Sequence, residues 1–356
     1  MGSSTISIPS SVISPSCTKS LQQAVHTVYQ IARGVLTFGI SEVVIYEAVE
    51  DIKAASKIQV GAVEGEEKPK KKTFDDEDDD FINKTKAKPK KAKKANEISA
   101  EAMMVATLLQ FFITPSYLRQ AIFKKQTSSK KPKSKTNQDM IKSMMEYAKK
   151  LPKLPGLPFM NHSTRYREGI SILSLHKSKK GNLVKNSGLT KYVNVGLKRA
   201  FQIDTSIPLN ARVTVDLKEK KIVAASEAYG QDANSFGYNV RMANQFSNVF
   251  TQSSIENGYD YTVWIGSGEF HKSSTTGTAD NEPTAVDMTT FSAINQEKNV
   301  LYVFGKWSDV SGAIKADAEL GQVAAKDIFD GQILTKTREV RVEDSIFIGL
   351  TKALDN

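Results

Sequence analysis

The segment SEVVIYE, from Ser41 to Glu47, constrains the fold more than any other part of the chain. Its Val43-Val44-Ile45 centre is apolar without alternation. That is the pattern of a strand covered on both faces, and such strands belong to parallel sheets flanked by helices. It follows a stretch in which Leu21, Val25, Val28, Ile31, Ala32 and Val35 recur at helical spacing. Ser16 or Thr18 is placed to cap the start of this helix, and Gly39 stands where a C-terminal cap belongs. Before it, STISIPSSVIS alternates apolar and polar residues and reads as a strand. The opening is therefore a strand-helix-strand unit of the α/β class, with one charge, Arg33, set within the apolar pattern of its helix.

From Ala62 to Glu97 the pattern gives way to blocks of like charge with prolines and almost nothing to bury, which predicts disorder. The 356 residues carry a formal net charge of +10, and the basic residues cluster, which points to a polyanionic partner, nucleic acid before an acidic membrane surface. No run reaches the roughly 18 apolar residues of a membrane span. The Ser-rich start lacks the basic and apolar regions of a secretory signal, so a chain that is not secreted is expected. Cys17 is the only cysteine, and His26, His162, His176 and His271 are scattered, so no zinc spacing exists, no metal is expected, and a reducing compartment fits.

Order is predicted again from Ser99 and Glu101, which start an amphipathic helix ending before Pro115; PSYLRQAIF adds a short helical turn. The Lys-rich KKQTSSKKPKSKTNQ breaks the pattern, DMIKSMMEYAKKL reads as a short amphipathic helix, and PKLPGLP ends it. Between Arg165 and Gly230 the period becomes alternating, with about five short strands, the count of a small OB-type barrel. After it, YNVRMANQFSNVFTQSS reads as helix, YDYTVWIG and VLYVFG as buried strands, and VEDSIFIGLTKALDN as a closing helix. The β-rich block thus reads as an insertion within one α/β domain.

Three glycine-bearing turns accompany the last strands: WIGSGE, VFGKWSDVSG and FDGQILTKTREVRVEDS. In open α/β sheets ligands sit beyond the carboxyl ends of the strands, where glycine lets backbone approach closely, so a nucleotide-like ligand is expected there. There is no P-loop, Ser-His-Asp order or paired-carboxylate motif, and DDEDDD at Asp75 to Asp80 reads as a solvated acidic stretch.

The motifs YQIARGVLTFGISEVVIYE, PSYLRQAIF, YREGI, KYVNVGLKR, FGYNVRMANQFSNVF, NGYDYTVWIGSGE, LYVFG and REVRVEDSIFIGL together resemble the SPOUT superfamily of knotted RNA methyltransferases. The match is to its eukaryotic and archaeal subfamily with an OB-like insert. The resemblance implies a trefoil-knot α/β domain in two parts, 4–61 with 98–123 and 231–356, an OB-like β-barrel over 165–230, a disordered charged insertion over 62–97 and a Lys-rich linker over 124–138. It implies that S-adenosylmethionine is held by Ile265, Gly266, Ser267, Gly268 and Glu269, by Phe304, Gly305 and Lys306, and by Val340, Arg341, Val342 and Ser345. Arg33 stands where the superfamily's first helix sends a catalytic arginine toward the partner subunit's site. A dimer packed knot against knot is implied, either with itself or with a related SPOUT chain. Arg119, Arg165, Arg167, Lys198, Arg199 and Arg241 are the expected RNA contacts, and KPKKAKK and KKPKSK read as nuclear or nucleolar tracts.

The chain departs from the family at three places. Phe270 stands where the first loop carries arginine, Lys306 follows Gly305 where a second glycine is usual, and GQILTKT replaces a tight turn, although Arg338, Arg341 and Glu343 remain. Two functions are expected from this: an S-adenosylmethionine-dependent methyltransferase acting on ribosomal RNA, and an RNA-binding ribosome assembly factor that keeps the fold and has lost the cofactor.

Overall fold

The computed structural model describes residues 2–48, 98–123, 137–160, 165–173, 188–230, 236–267, 290–291, 298–335 and 340–354. In chain order the strands are β1 (Ser4–Pro9), β2 (Glu42–Tyr46), β3 (Tyr166–Ser171), β4 (Leu189–Asn194), β5 (Phe201–Pro208), β6 (Arg212–Asp216), β7 (Lys221–Val223), β8 (Asn239–Ala243), β9 (Tyr261–Gly266), β10 (Val300–Gly305) and β11 (Gly331–Ile333). The α-helices are α1 (Leu21–Thr37), α2 (Ala100–Phe112), α3 (Ser116–Phe123), α4 (Asn137–Ala148), α5 (Ala225–Tyr229), α6 (Ser247–Thr251), α7 (Trp307–Lys315) and α8 (Val342–Leu354). The expected charged insertion and Lys-rich linker lie outside the described residues, apart from the two residues with which α4 begins.

Two compact units result: Met1–Ile31 with Val44–Ala106 and Arg241–Asn356, and Ala32–Val43 with Thr107–Val240. The first holds most of a six-stranded sheet in the order β11-β9-β10-β1-β2-β8. Within it β11 and β9, β9 and β10, and β10 and β1 pair in parallel, as the unbroken apolar strands require. Val44, Leu301, Val303, Trp264 and Phe246 form its buried core with Ile314 and Phe329. The strands Val300–Gly305 and Glu42–Tyr46 are buried along their whole length, and each fully covered Val, Leu or Ile contributes about 1.5–3 kcal/mol. Helix α8 lies on β9, β10 and β11. Its Gly349 permits the close approach, since a Cβ there would stand 2.6 Å from Ile265 Cγ2.

The second unit carries a five-stranded antiparallel sheet in the order β5-β4-β3-β6-β7. The Asp204 N–H donates to the Lys220 carbonyl at 3.1 Å and links β5 to the β6–β7 turn, so the sheet is nearly closed. Val193, Val195, Ile203 and Val215 fill its interior. Glu168 is fully buried at the centre of β3, where Arg212 Nη2 meets its Oε2 at 2.6 Å and also donates to the Ile113 carbonyl at 2.7 Å. Tyr117 donates to the Glu168 carbonyl at 3.0 Å.

Three local readings are corrected. The cap of α1 is Ser20, whose Oγ accepts the Gln23 N–H at 3.2 Å, and the Gln23 side chain accepts the Lys19 N–H at 2.9 Å; Ser16 and Thr18 instead bond back to Ser14 and to the Ile13 carbonyl. The stretch YNVRMANQFSNVF is not one helix: its start is the strand β8 and only Ser247–Thr251 is helical. Ala243, Phe246, Val249 and Phe250 mimic a helical spacing across the break, whereas the Asn239 N–H is already taken by the Ser41 carbonyl at 2.8 Å. The turn after VLYVFG ends at once in helix α7, which starts at Trp307. Other signals hold as read: Gly39 is left-handed at φ 65 at the end of α1, and Ser99 Oγ caps α2 by accepting the Ala102 N–H at 3.0 Å.

Candidate cofactor site

At the carboxyl end of the parallel sheet, β9 runs out at Gly266, β10 at Gly305, and β11 continues into Leu334 and Thr335. The Gly305 carbonyl joins the first two, accepting the Ser267 N–H at 3.3 Å and the Trp264 Nε1–H at 3.1 Å. Thr335 Oγ1 donates to the Gly266 carbonyl at 3.1 Å and brings the third segment in. Gly305 has φ 137, which excludes an ordinary side chain, and a Cβ on it would stand 2.5 Å from the Tyr46 hydroxyl. Tyr46 itself is buried and donates to the Phe304 carbonyl at 3.0 Å. The aromatic wall continues in Trp264 against Trp307, centroids 5.1 Å apart, and Trp307 against Phe329.

Two features fit this edge for a small ligand. Backbone is bare at Gly305, and Ser267 Oγ, on a residue only 4% exposed, has no hydrogen-bond partner among the described residues. A buried hydroxyl left so costs about 1–3 kcal/mol unless something satisfies it.

The nominated residues distribute as follows. Ile265, Gly266 and Ser267 meet Phe304, Gly305 and Lys306 at this edge. Val340 and Val342 are buried, and Ser345 donates within its own helix to the Val342 carbonyl at 2.9 Å. Arg341 turns its charge inward: its Nε meets Glu343 at 2.7 Å and its Nη2 donates to Thr27 at 3.2 Å, while Thr27 donates to Glu343 at 3.3 Å. Burial pushes the Glu343 carboxyl up, and Arg341 draws it partly back. Gly268, Glu269 and Arg338 lie outside the described residues.

Among the nominated basic residues, Arg33, Lys198 and Arg199 are exposed, the first on α1 and the others in the turn after β4. Arg241 is spent on the carbonyls of Asn248 and Val249, at 2.6 and 3.0 Å. Arg119 donates to the Thr114 carbonyl at 3.1 Å and lies over Phe111, and Arg167 lies over Tyr117. Arg165 donates to Asp216 at 2.7 Å and to Glu219 at 2.8 Å. Its hydrogen bond holds the Asp216 carboxyl down to about 2. A depressed carboxyl contributes stability above the unfolded value and loses it as pH falls through the folded one. Arg165→Gln is therefore expected to move the acid-unfolding midpoint to higher pH, followed by circular dichroism.

Sequence reasoning missed Tyr46, Trp264 and Thr335, each of which shapes the site through a contact distant in the chain. The only local signal was tyrosine closing an otherwise aliphatic strand. Among the described residues no group of His, Cys, Asp and Glu is placed to hold a metal ion, and no helix is long and apolar enough to cross a membrane.

A parallel sheet whose last strands bring glycine turns together at one edge leaves backbone open to a small ligand beyond the strand ends. The family described as "Putative RNA methyltransferase" matches residues 3–353, and the chain belongs to it. A "putative methyltransferase" of Saccharomyces cerevisiae is 27% identical over 358 residues, covering 97% of this chain and 91% of the relative. A second from the same yeast is 28% identical over 357 residues, covering 97% and 86%. A 28S rRNA (uridine-N(3))-methyltransferase of Mus musculus is 26% identical over 264 residues, covering 70% of this chain and 58% of that protein.

Proposed function

We propose that this chain is an S-adenosylmethionine-dependent RNA methyltransferase of the SPOUT type, acting on a uridine of ribosomal RNA in the nucleolus. The observation that carries the reading is the joined edge of Gly266, Ser267, Gly305 and Thr335, with its bare glycine and unsatisfied buried hydroxyl, in a member of an RNA methyltransferase family. S-adenosylmethionine, when bound, supplies an electrophilic methyl group on sulfonium. The chain's part is to hold donor and acceptor in line, a matter of positioning and electrostatics. Ser267 and the backbone at Gly266, Gly305 and Lys306 would hold the donor. Arg341 contributes through the main chain it fixes, its guanidinium being engaged by Glu343 and Thr27. Arg33 is the catalytic arginine of this reading, reaching the partner subunit in a dimer of this chain or of this chain with a relative.

The finer fold belongs to the same proposal. The β1-β10-β9 adjacency with β11 beyond β9 and α8 returning over them supports a trefoil knot. The order β5-β4-β3-β6-β7 with closure between β5 and the β6–β7 turn supports an OB-like barrel over 165–230. Exposed Lys198 and Arg199 are its phosphate contacts. Replacing either is expected to lower the log-log salt slope of RNA binding by about one, whereas an affinity indifferent to salt would contradict the phosphate contacts.

Isothermal calorimetry with S-adenosylmethionine, followed by methyl incorporation into ribosomal RNA, tests the reading; no binding by folded protein would reject it. The inward-turned Arg341 and the lysine at position 306 favour a second reading, a ribosome assembly factor that binds RNA and has lost the cofactor. Growth sustained by a Gly305→Trp variant in place of the wild type would select it.

A further inference from the structure

A base inside an RNA duplex keeps its pairing edge turned inward and its faces stacked, so a protein that acts on a base in folded RNA has to bring it out. None of the residues assigned above separates stacked bases. The turn between β4 and β5, Gly196 to Ala200, is built for that step. All five of its residues are exposed, and its tip carries Leu197, 48% exposed, directly before Lys198 and Arg199. From Leu189 to Ile203 the sequence has three cations and no acidic residue.

Single exposed leucines are ordinary on protein surfaces. This one differs in how firmly it is presented. Val195, just before the turn, is buried in the interior of the five-stranded sheet, and Phe201, just after it, packs on the same cluster. Gly196 is left-handed at φ 75 and its N–H donates to Asn194 Oδ1 at 3.0 Å, which closes the base of the turn. The turn rests on Tyr117 of α3, since a Cβ on Gly196 would run into the Tyr117 ring. Tyr117 is fixed by its bond to the Glu168 carbonyl, and the Arg167 guanidinium lies 5.0 Å from its ring centre. An apolar tip, two cations beside it and the Tyr117–Arg167 pair at its base thus form one patch on buried anchors.

We propose that Leu197 is a wedge that enters a stacked RNA step and unstacks a base, while Lys198 and Arg199 hold the flanking phosphates. This rests on the RNA-binding part of the reading above and not on methyl transfer. The phosphate contacts supply affinity that is independent of sequence. The inserted leucine leaves water as it enters and replaces part of the stacking contact that opening removes. It carries no donor or acceptor, so it opens a step without choosing the base. The cations keep the strand in place during opening, and the anchored base of the turn keeps the tip from folding away.

Fluorescence of 2-aminopurine, which rises when that base leaves the stack, reads the step on the full chain without cofactor. The probes are a short RNA duplex with one 2-aminopurine opposite uridine and the same labelled strand alone. Saturating wild type is expected to raise the duplex signal about threefold or more. Leu197→Ala abolishes the rise, while its affinity for the single strand stays within about twofold and its melting temperature at the wild-type value, because the side chain it shortens is exposed. Leu197→Met keeps the rise. Lys198→Ala weakens binding to both probes and, at saturation, leaves the rise in place. Leu189→Ala, at an exposed leucine on the opposite end of β4, changes neither readout. A wild type that binds the duplex without a rise, or a Leu189→Ala that loses it, overturns the proposal. A Leu197→Ala that keeps the rise overturns it too and leaves the tip to a protein contact. A wild type that binds neither probe rejects the RNA-binding reading and the proposal with it, whereas a Leu197-dependent rise in a chain that transfers no methyl supports the wedge and rejects the enzyme.

Discussion

Gly305→Ala is expected to weaken S-adenosylmethionine binding by roughly 100-fold or more, about 2.7 kcal/mol at the least, with a melting temperature a few degrees below the wild type. Two independent obstacles meet at this position. The backbone sits at φ 137, where an L side chain costs about 1–3 kcal/mol, and the added Cβ would stand 2.5 Å from the Tyr46 hydroxyl. Tyr46 cannot retreat, being fully buried, edge-on to Phe246 at 5.4 Å and bonded to the Phe304 carbonyl. The strain therefore falls on the peptide whose carbonyl holds both Ser267 and Trp264. Tyr46→Phe in the same chain removes the clash and not the dihedral strain, so the double variant should regain part of the stability and little of the binding. Gly266→Ala serves as the contrast: among the described residues its Cβ would first meet the Trp264 ring, at 3.2 Å, and φ there is not left-handed. Calorimetry and thermal melts on the three variants decide the matter. Wild-type affinity in Gly305→Ala would remove the β10 turn from the site.

The second large effect lies in the five-stranded sheet, where Arg212→Ala is expected to cost about 3–5 kcal/mol. Glu168 is fully buried, Arg212 supplies both hydrogen bonds to its Oε2, and Oε1 has no partner among the described residues. Removing the arginine leaves a buried charge with nothing opposite. Burial already pushes the Glu168 carboxyl up, against the pull of Arg212. A folded value above the unfolded one gives stability that is complete below the unfolded value and lost as pH rises through the folded one. The variant's deficit should accordingly be small below about pH 4 and full above neutrality. Urea titrations at the two ends of that range would show it. Replacing both partners by apolar residues, Glu168→Leu with Arg212→Met, should cost far less than the single change, because no charge is stranded.

What could be read from the sequence was whatever local pattern determines. The Val-Val-Ile run of β2, the helical spacing ending at Gly39 and the alternation of β3 to β7 each carry their answer within a dozen residues. The strand β8 was read as helix because five residues of alternation cannot outweigh apolar spacing that continues into α6; its pairing with the segment after α1 joins positions some 200 residues apart. The short strand β11 hid in a glycine turn for the same reason, since three residues become a strand only when Val263 to Ile265 offer a partner. At the candidate site the glycines were visible by type. What makes Gly305 irreplaceable is a tyrosine hydroxyl from the other end of the chain, and no spacing rule connects them. The inward turn of Arg341 is likewise invisible without Thr27 beside it.

The position of β1 has a consequence during synthesis. Ser4 to Ser7 pair with Val300 to Val303, so β1 has to wait until β10 has been made before its place beside β10 can be filled. At about 5–20 residues per second, that wait is roughly 15–60 s. Through it, Ile6 and Ile8, fully buried in the finished sheet, lack their final cover on the nascent chain. Newly made protein should therefore lean on chaperones far more than its final stability suggests, and should refold slowly from denaturant.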